Sequence, residues 1–65
     1  MLQYSMAWTA SEIIALRERL RLNQQDFAKL LNVDARSVVR WETQNISPTA
    51  SAEAIMSALR EKLVL

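Results

Sequence analysis

The sequence predicts an all-α fold: one compact domain of four helices, five at most, preceded by an arm that reads as a short strand if it is ordered. Three observations carry this prediction. The chain has 65 residues and no cysteine, so it lacks both the length for two cores and the disulfides that hold small irregular folds together. Three helix-start signatures follow one another at Thr9, Asn23 and Asp34, each a side-chain acceptor just ahead of an apolar run. Behind each one, apolar residues recur at three and four positions, the period of a helix with one buried face. Residues 1–8 form the arm and residues 9–65 the domain.

Thr9 stands three residues before Glu12, the spacing of a capping box, and Trp8 can staple onto Ile13 across it. The first helix therefore runs from about Ala10 to Arg21, with Ile13, Leu16 and Leu20 as its inward stripe. Asn23 offers the next cap, Asp26 suits the positive end of the helix dipole, and Leu22 can staple onto Phe27. The second helix spans roughly Gln24 to Leu31, with Phe27, Leu30 and Leu31 inward and Ala28 small enough for close approach of a neighbour. Asn32 follows where a left-handed residue is needed; in a chain without glycine, asparagine is the next best choice. After a tight turn Asp34 caps a third helix from Ala35 to Glu42 or Thr43, and Val33 can staple onto Val38. Residues 44–47 read as a polar connection. Pro48 suits the first turn of a fourth helix, which carries Ile55, Leu59 and Leu63 inward.

Composition removes several classes of function. With neither cysteine nor histidine, the chain has no thiol nucleophile, imidazole base or zinc-knuckle ligand set. It has no carboxylate pair of catalytic type and no glycine loop to cradle a phosphate. No catalytic residue, metal or cofactor is expected, and the chain is read as not an enzyme. No signal peptide or long apolar run is visible, so a soluble cytoplasmic protein without a membrane partner is expected.

The net charge of +1 is uninformative, but its distribution is not. Between Arg17 and Arg40 there are six cations against three acids. The third helix concentrates the contrast. Asp34, Val38 and Trp41 share the face assigned to the core, whereas Ala35, Arg36, Val39 and Arg40 share the opposite one. Arg36 and Arg40 stack at i and i+4 with no acid within helical reach, and an external anion would relieve their repulsion. Lys29 and Arg21, in contrast, each follow an acid by three residues, Asp26 and Glu18. The plain alternative is a solvated cationic face.

The stretch from Leu22 to Pro48 resembles the helix-turn-helix of the Cro and lambda-repressor-like, or Xre, family. Gln24, Ala28, Val33, Val38, Trp41, Glu42 and Pro48 fall at that family's spacings. The resemblance implies a lambda-repressor-like domain whose third helix enters the major groove, as in the handful of repressors for which that docking is the standard geometry. It implies base readout by Ala35, Arg36, Val39 and Arg40: arginine bonds guanine bidentately, while Val39 and the Ala35 methyl meet thymine methyls. It implies phosphate contacts from Asn23, Gln24, Gln25, Ser37, Thr43, Gln44 and Asn45, which orient without specifying sequence. It also matches Arg17 and Glu42 to an ion pair between the first helix and the end of the third. Asn32 and the pair Gln44 and Asn45 stand where the family usually has glycine, and Ala35 replaces a longer polar reader.

The function so implied is a sequence-specific DNA-binding regulator, a repressor or autorepressor of a small phage, toxin-antitoxin or accessory operon, on an inverted-repeat operator in double-stranded DNA. The alternative is a helical interaction module that keeps the fold and binds a protein partner, an acidic one suiting Arg36 and Arg40. A homodimer is expected, because one module of this size makes few base contacts. Leu2, Tyr4, Met6 and Trp8 alternate with smaller or polar residues, a strand period whose natural partner is a second copy; the alternative is a frayed terminus. Leu59, Leu63, Val64 and Leu65 offer a second dimer surface.

Overall fold

A computed structural model describes residues 8–64 as four α-helices: α1 (Ala10–Arg19), α2 (Gln24–Leu31), α3 (Ala35–Gln44) and α4 (Ala50–Val64). The all-α, four-helix class is the one the sequence predicts, with no fifth helix and no strand among the described residues. The arm at Leu2, Tyr4 and Met6 lies outside the described residues, as do Leu65 and the Val64 side chain.

The first three starts are each capped by the residue assigned to them. Thr9 Oγ1 accepts from the Glu12 amide at 3.2 Å while Glu12 Oε1 accepts from the Thr9 amide at 3.0 Å, a complete capping box. Asn23 Oδ1 accepts from the Asp26 amide at 2.7 Å, and Asp34 Oδ1 from the Arg36 amide at 2.9 Å. This capping role corrects one expectation: Asp34 is exposed and does not belong to the core face of α3.

The helix ends differ from the expected ones, for local reasons. α1 stops at Arg19 because Arg21 turns left-handed at φ 59°; its N–H reaches the Glu18 carbonyl and the Leu22 N–H reaches back to that of Arg17. This is the paired bonding of a Schellman end, built here on an arginine. Asn32 at φ 60° ends α2 in the same way, with the Val33 N–H on the Ala28 carbonyl at 2.9 Å. α3 continues through Gln44, beyond the expected Thr43, and stops at Asn45, φ 56°. Pro48 is buried but precedes α4, which starts at Ala50. Thr49 takes the capping position, its hydroxyl accepting from the Ala52 amide at 3.3 Å.

The core gathers Ile13 and Leu16 of α1, Phe27, Ala28 and Leu31 of α2, Val38 and Trp41 of α3, and Ala52 and Met56 of α4. One expected core position moves. Leu30 is 45% exposed, because the buried arc of α2 is centred on Phe27 and Leu31 and Leu30 lies about 100° round the helix from Leu31. On α4 the buried centre is Ala52 and Met56, and the expected Ile55, Leu59 and Leu63 pack against the core, each partly buried. Trp8 closes the core from the other end of the chain. Its Nε1 donates to Ser57 Oγ at 3.3 Å, and the Arg60 guanidinium lies 4.0 Å above its ring.

Candidate nucleic-acid interface

The left-handed turn at Asn32 lets α3 leave α2 after only Val33 and Asp34, so the two helices pack as a unit. One side of α3 is sealed into the core by Val38 and Trp41, 0% and 4% exposed. That fixes the other side outward. Arg36, Val39 and Arg40 are exposed there, Val39 at 38%, and Ala35 is half-buried beside them. Together with Gln24 and Gln25 from α2 and Gln44 from the end of α3, these residues line an open groove of about 450 Å³.

The groove is distinguished by what lines it. Its seven residues include two arginines and three glutamines but no carboxylate, whereas two grooves on the α1 and α4 side both contain Glu12. Absence of an ion pair alone would not single it out. Among the described residues only Arg17 and Glu42 approach within 4.0 Å, so the spacings of Lys29 to Asp26 and of Arg21 to Glu18 do not close into pairs either. Arg19 instead donates to the Leu63 carbonyl at 3.1 Å, and Arg60 is occupied by Trp8.

Immediately behind the groove lies a polar knot. Arg17 Nε donates to Glu42 Oε2 at 2.7 Å and Nη2 to Oε1 at 3.2 Å, while Nη1 reaches the Leu22 carbonyl at 3.0 Å. Gln24 Nε2 adds a third donor to the carboxylate, 2.9 Å from Oε1. The Arg17 and Glu42 side chains are 18% and 4% exposed, so the pair is largely withdrawn from water. Three donors on one carboxylate offset much of its lost hydration.

The remaining residues assigned to phosphate contact stand outside the groove. Asn23 is exposed, with its side-chain oxygen committed to the α2 cap. Ser37 is half-buried in the first turn of α3. Thr43 is exposed and donates its hydroxyl to the Val39 carbonyl at 2.7 Å. Asn45 Oδ1 accepts from the Ala10 amide at 3.4 Å, tying the loop after α3 to the start of α1. Leu59 and Leu63, assigned to a dimer surface, are packed in part against the chain's own core. The bond from Gln24 to Glu42 was missed by the sequence reading; the two residues are 18 apart and only the crossing of α2 and α3 brings them together.

Among the described residues no group of three metal-ligating side chains occurs, and no helix is long and apolar enough to cross a membrane. The chain matches no protein-family model and no curated protein sequence.

Proposed function

We propose that this chain is a sequence-specific regulator that binds duplex DNA with α3 in the major groove. It acts as a repressor or autorepressor of a small phage, toxin-antitoxin or accessory operon in the cytoplasm. The observation that carries this reading is the carboxylate-free groove, in which Arg36 and Arg40 flank an exposed Val39 on a helix whose other face is locked into the core. Two guanidiniums one helical turn apart match guanine edges, and an apolar residue between them suits a thymine methyl. Exposing Val39 on a cationic face has no packing benefit within the chain. The flanking glutamines supply neutral donors at the groove margin, the kind that fix register on a phosphate backbone. A two-fold dimer on an inverted repeat supplies the affinity that one such module lacks, with half-sites about 34–36 Å apart.

The test is binding of the full chain to a panel of duplexes at two salt concentrations, with Arg36→Ala and Arg40→Ala beside the parent. Affinity should fall steeply with salt, and each variant should lose about 1–3 kcal/mol on the preferred duplex together with discrimination at one base pair per half-site. Equal binding by parent and variants sinks the assignment, and a flat salt response points instead to an acidic protein partner. Sedimentation of the intact chain and of one lacking residues 1–5 checks the dimer: a monomer both free and on DNA excludes it.

A further inference from the structure

We infer that Glu42 is a positioning residue for Gln24, and that it aims the Gln24 carboxamide as a preset donor to a DNA phosphate. This inference rests on the reading that the α3 groove binds duplex DNA. The carboxylate is an acceptor only, so the end of Gln24 that faces it must be the NH₂ group and not the carbonyl. That removes the two-fold ambiguity of a glutamine side chain. One N–H is spent on Glu42 Oε1 at 2.9 Å, and the second has no acceptor among the described residues. Trigonal nitrogen holds its two N–H bonds in one plane about 120° apart, so fixing the first fixes the second.

The surroundings bear on where that second N–H is of use. Gln24 is half-buried and lines the same groove as Arg36 and Arg40, so its amide sits at the margin of the face assigned to DNA. Glu42 cannot contact a phosphate itself; it is anionic, and its side chain is 4% exposed. It holds still because Arg17 clamps both of its oxygens. The chain of support therefore runs from Arg17 through Glu42 to Gln24. A free glutamine must lose side-chain rotamer freedom when it binds an anion, a cost of up to about 1.5–2 kcal/mol for a long side chain. Here that loss is incurred on folding, and the amide arrives at the backbone already oriented.

A double-mutant cycle separates aiming from mere packing. Gln24→Met keeps the shape and removes the donor. The combined variant Arg17→Met with Glu42→Met removes both charges together, an exchange for apolar residues that small folds tolerate, and leaves Gln24 without its anchor. Binding of the full chain to a mixed-sequence duplex is measured across a salt series for the parent, each of these, and the triple variant, with circular dichroism confirming the fold of each. Gln24→Met should weaken the parent about tenfold, as loss of a bond to a charged acceptor does, without changing the salt slope, because glutamine carries no charge. In the background lacking Arg17 and Glu42 the same change should cost less than about threefold. In the free parent, NMR should show a hydrogen-bond correlation from the Gln24 amide to the Glu42 carboxylate carbon. An equal loss in both backgrounds overturns the aiming role while leaving DNA binding intact. So does a parent that binds duplex and is indifferent to Gln24→Met. A parent that binds no duplex overturns the DNA reading and this inference together.

Discussion

Removing Arg17 should do more harm than removing its partner. In Arg17→Ala the Glu42 carboxylate, 4% exposed, keeps a single donor, Gln24, in place of three. The Leu22 carbonyl, held by Arg17 Nη1 at the end of α1, loses its side-chain donor as well. Stranding one member of a buried pair costs about 3–5 kcal/mol; the 18% exposure of Arg17 argues for the lower part of that range, about 3 kcal/mol, since water reaches the site once the side chain is gone. A chain of 65 residues has a total stability of only about 3–10 kcal/mol. At about 4–8 °C per kcal/mol for a domain of this size, the midpoint should fall by about 12–24 °C. Glu42→Ala strands a longer, partly exposed cation that can extend toward solvent and keep its bond to Leu22, so its cost should be about half as large. Thermal melts followed by circular dichroism give both numbers. Midpoints within 3 °C of the parent, or the reverse ranking, would refute the argument that the carboxylate is the residue that needs its partner.

Two further changes probe the same fold. Arg21→Gly should raise stability by about 0.5 kcal/mol, because the left-handed backbone at φ 59° costs an arginine about 1–2 kcal/mol that glycine avoids, less the greater entropy of glycine in the unfolded chain; a lower melting midpoint would show that the arginine side chain holds the turn. Leu30→Lys should shift stability by less than about 0.5 kcal/mol, since that side chain is 45% exposed; a loss above 2 kcal/mol would mean that Leu30 is covered in solution.

What was legible in the sequence was what depends on neighbours a few residues away. The caps at Thr9, Asn23 and Asp34 each bond an amide two or three residues on, so the sequence alone contains both partners. Asn32 as a left-handed stop is equally local. Arg21 was not legible, because nothing in an arginine marks it for positive φ; its conformation follows from Leu22 turning back over α1. The assignment of Leu30 to the core fails for a different reason. It lies on a broad apolar arc, and which part of an arc is buried depends on where the next helix crosses, a property of the whole assembly. The two faces of α3 were readable from their contrast in charge. The knot behind that helix is only half readable: the family resemblance joins Arg17 to Glu42, whereas it points Gln24 at an outside anion and gives no sign that Gln24 is also bound from within.

The contact of Trp8 with Ser57 and Arg60 joins positions 49 residues apart in one case and brings the first described residue onto the last helix. Contacts among the first three helices span less of the chain: α2 packs with α3 across a three-residue turn, and α1 reaches α3 through Arg17 and Glu42, 25 residues apart. Order of assembly follows from that difference. Closing a loop of 49 residues loses more entropy than closing these shorter ones, so α1, α2 and α3 can associate first while α4 docks late and seals Trp8. In a rapid-mixing experiment on a Trp41→Phe variant, the emission of Trp8 should lag the gain of helical signal; simultaneous changes would show that the four helices condense in one step.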